Sequence, residues 1–261
     1  MLLAFLLQAA APESETTWLP SGLLYPHALA DPRAPFTGSR AQFSLKDDNA
    51  KLENAFGEEQ ALVRIKNGDD AFELVGEGGV VGRFDLEEDL DMDAADFRFG
   101  FPLVWSRGPL ALKLHPWHIT SHLGDEYIDR VGVQRISYAR NELAFGAAWR
   151  ATSALRLYAE AGWGFAIDEL NEPPRVMGGA ELVDRLLGAG APEVYLAANA
   201  QAWKETDWTP QLNLQAGLWL RSASTPTGLR IGLEYFRGPS ALTQFYLAKD
   251  HYLALGFWIH F

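Results

Sequence analysis

The chain ends on His251-Tyr-Leu-Ala-Leu-Gly-Phe-Trp-Ile-His-Phe261, in which large apolar residues alternate with smaller or more polar ones and the last residue is an aromatic. Successive side chains of a strand point to opposite sides, so Leu253, Leu255, Phe257, Ile259 and Phe261 share one face. Tyr252, Ala254, Gly256, Trp258 and His260 share the other. One bulky apolar face, one smaller face and a terminal phenylalanine are what the closing strand of an outer-membrane β-barrel requires, with lipid on one side and an interior on the other.

Composition narrows the alternatives. The chain has 261 residues, 48% of them hydrophobic, yet past its N-terminus no stretch approaches the roughly 20 apolar residues of a membrane helix. A net charge of −12 argues against nucleic acid as a partner and against a polybasic membrane anchor, since both need clustered Lys and Arg. The absence of cysteine fits an exported protein whose closed sheet needs no disulfide. Leu2 to Ala11 is apolar and closes on Ala9-Ala10-Ala11 before the polar Pro12-Glu-Ser-Glu, so residues 1–11 read as a secretory signal peptide without a basic n-region.

Residues 12–38 form a proline-rich segment, with Pro20, Pro26, Pro32 and Pro35. These deny regular hydrogen bonding and predict a periplasmic lead or a plug. The barrel is expected over 39–261. Alternation is clearest at 97–105, 143–149, 155–165, 210–221, 229–236 and 251–261; further strands are read near 39–45, 58–66, 71–84, 110–122, 175–184 and 193–202. The fold class is therefore all-β, an antiparallel transmembrane up-and-down barrel of about 12 strands. Placing Phe261 in the periplasm puts the short turns 67–70, 106–109, 151–154 and 222–228 there. The longer connections 85–95, 123–134, 166–174, 203–209 and 237–250 then fall outside. A soluble barrel also alternates, but its interior positions would be the apolar ones and its outside richly charged; here the smaller, Gly-bearing face carries the charges, as a lumen requires, and the bulky face carries almost none. Trp105, Trp149, Trp163 and Trp203 are expected in interfacial girdles.

The densest polar stretch is His115-Pro-Trp-His-Ile-Thr-Ser-His-Leu-Gly-Asp-Glu-Tyr127, followed across a loop by Arg135-Ile-Ser-Tyr-Ala-Arg-Asn-Glu142. Together with Trp18-Leu-Pro-Ser-Gly-Leu, Gly78 to Asp85, Arg140-Asn-Glu142 and Gly232-Leu-Glu-Tyr-Phe-Arg-Gly-Pro-Ser240, the element Ser121-His-Leu-Gly-Asp-Glu126 resembles the bacterial domain-of-unknown-function family 1207. The resemblance covers most of the chain beyond residue 11. It implies an outer-membrane barrel and brings no established activity or catalytic residue.

On the residues themselves, His118, Thr120 and His122 continue the face of Leu110, Leu112 and Leu114, while Ser137 and Asn141 share the parity of Leu143 and Phe145. A histidine, a hydroxyl and an amide facing lipid would suit an ester hydrolase such as a phospholipase or lipid A deacylase. A bulge at Pro116 would turn His118 and His122 to the lumen instead. His118 and His122 with Asp125 or Glu126 also offer zinc ligands, although residues four apart on a strand are about 13 Å from one another. Ser121, His122, Gly124, Asp125 and Glu126 form the loop motif.

Inside, Tyr138, Arg140 and Glu142 are expected to face Arg156, Tyr158 and Glu160, with Arg230 and Glu234 on later strands. Such pairs would fill the lumen or line a narrow polar pore. The run from Asp85 to Asp96 holds seven carboxylates and reads as a solvated acidic loop. The leading expectation is a structural or narrow small-solute passage role. The alternatives are an outer-membrane lipid esterase and a surface adhesin or receptor. No cofactor or metal is expected. The expected partners are outer-membrane lipid and lipopolysaccharide, periplasmic chaperones and the barrel assembly machinery.

Overall fold

Period-two alternation becomes a closed cylinder. The computed structural model describes residues 14–165, 172–188, 190–221 and 227–261, so the expected signal peptide lies outside the described residues. The strands are β1 (Glu15–Trp18), β2 (Thr37–Ser44), β3 (Ala50–Asn67), β4 (Asp70–Asp85), β5 (Met92–Gly100), β6 (Leu103–Arg107), β7 (Leu110–Leu123), β8 (Tyr138–Arg150), β9 (Leu155–Phe165), β10 (Pro174–Asp184), β11 (Glu193–Trp203), β12 (Gln211–Arg221), β13 (Gly228–Pro239) and β14 (Lys249–His260). A short helix, α1 (Asp125–Val131), follows β7. Every pairing is antiparallel, and the last strand returns to the first of the ring, from Tyr252↔Ser44 to Ile259↔Thr37. No edge is left there for another chain to pair with.

The ring has twelve strand positions. β5 and β6 together occupy one of them, both lying between β4 and β7. The break falls at Phe101-Pro102, where proline offers no ladder donor. Its carbonyl still accepts from the Val75 N–H at 2.9 Å. β3 is longer than the expected 58–66, because its outward positions mix Leu52 and Phe56 with Asn54, Glu58 and Gln60 and so blur the alternation. Its register shifts between Ala61 and Val63, and this bulge returns Arg64 to the side of Glu59 and Glu73. β1, which the sequence pattern did not suggest, lies along β3 from Lys66 to Val63.

Large apolar side chains cover the outside. Phe56, Leu233, Trp163, Leu255 and Phe145 are all exposed, whereas Arg40, Glu53, Arg140, Glu142, Arg230 and Glu234 are buried within. The short turns after β3, β6 and β8 share one end with the C-terminus. The long connections after β4, β7 and β11 lie at the other. The first is the turn end of the barrel and the second its loop end.

Residues 20–36 run through the lumen from the turn end. Proline denies this segment a ladder, so its backbone groups need partners from the wall. Glutamates accept from its N–H groups: Leu24 N to Glu73 at 3.0 Å, His27 N to Glu59 at 2.7 Å and Leu29 N to Glu181 at 2.6 Å. Arginines donate to its carbonyls, Arg156 to Pro26 at 2.6 Å and Arg98 to Arg33 at 3.2 Å. From the loop end, residues 239–249 fold down over the mouth, burying Leu242, Thr243 and Gln244.

Candidate functional site

Two groups of chemistry-bearing side chains stand on opposite faces of the wall. The outward group depends on β7. It pairs with β8 without a register shift from Leu110↔Trp149 through Pro116↔Leu143 to Ser121↔Tyr138. Pro116 therefore produces no bulge, and His118, Thr120 and His122 keep the face of Leu110, Leu112 and Leu114.

His118 stands opposite Asn141, and its Nδ1 lies 2.9 Å from Asn141 Oδ1. A carbonyl oxygen only accepts, so Nδ1 holds the proton and Nε2 is left as the basic nitrogen. The ring also packs on Phe99, centroids 5.1 Å apart. Thr120 follows two residues on, on the same face. His122 stands edge-on to Phe97 at 5.7 Å. Ser137 is exposed just before β8. The structure thus pairs His118 with Asn141, sets Thr120 two residues on along the same face, and leaves Ser137 beyond the strand.

The zinc reading finds no support in this arrangement. His118 turns to Asn141 and His122 to Phe97, while Asp125 and Glu126 lie in the first turn of α1. Among the described residues, no group of three or more His, Cys, Asp or Glu side chains is arranged to hold a metal ion.

Two residues of the loop motif, Ser121 and Gly124, make contacts that hold the mouth together. Ser121 points inward and donates to Asp96, which also accepts from Thr243 Oγ1 at 2.7 Å and Thr243 N at 3.0 Å. Gln244 donates to the Ser121 and Ile136 carbonyls at 3.0 and 2.8 Å. Ser121 thereby ties the 239–249 segment to the mouth. At Gly124, which precedes α1, a Cβ would overlap the Met92 carbonyl, so only glycine lets the chain pass.

The inward group is a web of paired charges. Glu142 accepts from Arg140 at 2.8 Å, Arg175 at 2.5 Å and Trp117 Nε1 at 3.1 Å. Arg40 joins Glu53 to Glu234, the latter at 3.0 Å. Lys113 pairs with Glu160 at 2.7 Å and Arg156 with Glu181 at 3.1 Å. Tyr138 donates to Glu205 at 3.0 Å and Tyr158 to the Ala198 carbonyl at 3.2 Å. Arg230 reaches His260 and Gln215, each at 2.9 Å. Between these groups, a cavity of about 20 Å³ lined by Pro32, Arg33, Glu53, Arg98 and Ile119 has room for roughly one water molecule.

Three expectations are corrected by this geometry. Tyr138, Arg140 and Glu142 do not face Arg156, Tyr158 and Glu160. The β8–β9 register pairs Gly146 with Glu160 and Glu142 with Gly164, because strands joined by a short turn are matched from that turn. Trp203 is not in a girdle: it is buried beneath the guanidinium groups of Arg33, Arg140 and Arg175, 4.6, 5.0 and 5.3 Å away. The acidic run is not simply solvated, since Lys51 holds Asp85 and Asp93 at 2.6 and 2.9 Å and Arg130 holds Asp91 at 2.8 Å. Arg40, Glu53, Glu59, Glu77, Lys113, Arg175 and Glu181 were not singled out from the sequence. The parity that marked β8 and β9 would have found them on β2, β3, β4, β7 and β10.

Residues 7–261 match the family model described as Protein of unknown function (DUF1207). The chain belongs to that family. No curated protein matches it. Among solved structures it is similar to the transport unit of the autotransporter AIDA-I from Escherichia coli, at 14% identity over 92% of this chain and 94% of that one, with a TM-score of 0.45. It is also similar to an anion-selective porin from Comamonas acidovorans, at 11% identity over 95% and 98% of the two chains, with a TM-score of 0.38. The family membership is consistent with the twelve-position barrel and specifies no activity.

Proposed function

We propose that this DUF1207 member is an outer-membrane barrel with its turn end in the periplasm, and that it serves as a closed passage for small polar solutes whose gate is its own segment 20–36. Short turns inside and long loops outside are the asymmetry of such barrels. The observation that carries the gate is how the segment is held: wall glutamates and arginines take its N–H and C=O groups, contacts that water can replace when it withdraws. Apolar contacts also hold it, Tyr25 and Ala28 sharing one buried cluster with Val75, Val104, Ala111, Ala148 and Met177, so opening requires that small patch and the polar contacts to be given up together.

Planar-bilayer recording tests this. Wild-type protein is expected to be silent or to open rarely, and Arg33→Ala combined with His27→Ala is expected to raise the frequency of stepwise openings at least tenfold. Those changes remove the hydrogen bonds to Gln211 and the Ser240 carbonyl and the ring contact with Glu59. Silence of the folded double variant would sink the gate.

The His118–Asn141 hydrogen bond favours a second reading, a lipid ester hydrolase. Asn141 would orient His118, whose Nε2 would take the Thr120 proton as the hydroxyl attacks an acyl carbonyl; the leaving alcohol would recover that proton, and water would release the acid. Fatty acid released from phospholipid micelles would fall to background in Thr120→Ala and His118→Gln and by roughly 10²-fold or more in Asn141→Ala. Release that is unchanged in Thr120→Ala would exclude this site.

A further inference from the structure

Parity shows what each strand presents to lipid at the loop end. On most strands that outward residue is uncharged: Leu52 on β3, Phe84 on β4, Ala95 on β5, Ala139 on β8, Phe165 on β9, Ala202 on β11 and Leu212 on β12. β13 and β14 differ. Arg237 continues the outward row Ile231, Leu233 and Tyr235, while His251 and Lys249 continue the row Phe257, Leu255 and Leu253.

The register sets Arg237 opposite His251 and Pro239 opposite Lys249, so the basic side chains are neighbours. His251 Nε2 is 3.2 Å from the Tyr235 hydroxyl. At the adjoining β2–β3 turn the Lys46 ammonium donates to the Lys249 carbonyl. Arg237, Lys249 and Lys46 are exposed. Among the described residues none of the three is ion-paired with a carboxylate, although the lumen pairs most of its cations.

Beside them opens a polar cleft of about 160 Å³ bordered by Lys46, Lys249 and His251 together with the carboxylates Asp47 and Asp250. Asp250 is engaged by Arg83 at 3.2 Å and Ser240 at 2.7 Å. With strands tilted as in such barrels, the eight residue steps from Leu253 to Phe261 climb about 20 Å, close to the ~25 Å apolar band. The basic group therefore stands where lipid headgroups begin.

We propose that Arg237, Lys249, His251 and Lys46 form a seat for the phosphate groups of an anionic outer-leaflet lipid, at the β13–β14–β2 rim. The three exposed cations exceed the one cleft carboxylate that no other cation holds, Asp47, on an outward face of a chain with net charge −12: phosphates of the leaflet supply the remaining counter-charge. This rests on the assignment of the loop end to the outer leaflet and is independent of whether the lumen conducts.

Native mass spectrometry of the folded protein in neutral detergent, titrated with diphosphorylated lipid A, tests the seat. Phosphatidylcholine is the zwitterionic control and inorganic phosphate the free-anion competitor. Wild type should retain lipid A over phosphatidylcholine, and Arg237→Gln with Lys249→Gln should weaken it roughly 25-fold, the effect of two interfacial cations at about fivefold each. Arg150→Gln, at the turn end, should leave it unchanged. Wild-type affinity in the double variant would overturn the proposal, as would full displacement of the lipid by millimolar inorganic phosphate. Loss in Arg150→Gln and not in the double variant would place the lipid seat at the turn end and overturn the assignment of the two ends as well.

Discussion

Glu142 shows how this interior is balanced one residue at a time. Its carboxylate satisfies Arg140, Arg175 and Trp117 together, and Gly162 supplies the room: a Cβ there would overlap the Glu142 carboxyl. Removing one partner of a buried pair leaves the others charged and desolvated, which costs about 3–5 kcal/mol. Glu142→Leu should therefore lower the unfolding free energy by about that amount, read from guanidinium titration in detergent; a change under about 1 kcal/mol would show that the web is hydrated and loosely coupled. Glu205 gives a pH dependence at the loop end. Burial pushes its carboxyl above the usual range, against the opposing pull of Arg140 and Arg33. A raised carboxyl binds its proton more tightly folded than unfolded, so its stabilising contribution is full below the unfolded value and is lost as pH rises through the folded one. Amide exchange over 204–209, corrected for intrinsic base catalysis, should accelerate across that window in wild type. It should be flat in Glu205→Gln.

At the scale of elements, β7 carries both faces of the chemistry because an antiparallel strand keeps its parity wherever its register is unbroken. That condition holds past Pro116, so the outward direction of His118 could be read from sequence spacing. On β3 it fails at Ala61, where one inserted residue reverses the pattern and conceals Arg64 as an inward group. α1 starts directly after Gly124, where the chain passes too close to the Met92 carbonyl for a side chain. Gly124→Ala should displace α1 and release Arg130 from Asp91. The expected readout is faster proteolysis between residues 124 and 137 with the barrel strands intact; unchanged cleavage would show that the close approach is not needed.

At the scale of the molecule, the barrel separates two solvents. Nitroxide labels separate them directly. A label at Leu233 or Leu255, both exposed on the apolar outside, should be relaxed by dissolved oxygen more than by a water-soluble nickel chelate. At Ser44, on the inward parity of Arg40 and Gln42 near the loop-end mouth, the order should reverse. Equal accessibility at the two kinds of position would contradict a lipid-facing cylinder. The closed lumen is a property of this scale too, because segment 20–36 from one end and loop 239–249 from the other meet at Arg33, which donates to the Ser240 carbonyl at 2.9 Å.

Strand number, the side a residue faces wherever the register is unbroken, and the asymmetry between short turns and long connections follow from the amino-acid sequence alone, since they depend on local period and on the positions of turn residues. Which charges meet was decided by the tertiary structure. Partners such as Arg40 and Glu234, or Arg33 and Ser240, are 194 and 207 residues apart, and stagger around a tilted cylinder, not distance along the chain, brings them together. The same holds for the proline-rich segment: proline content predicts that it forms no ladder, but only a wall of glutamates and arginines arranged around it can satisfy its backbone inside the barrel.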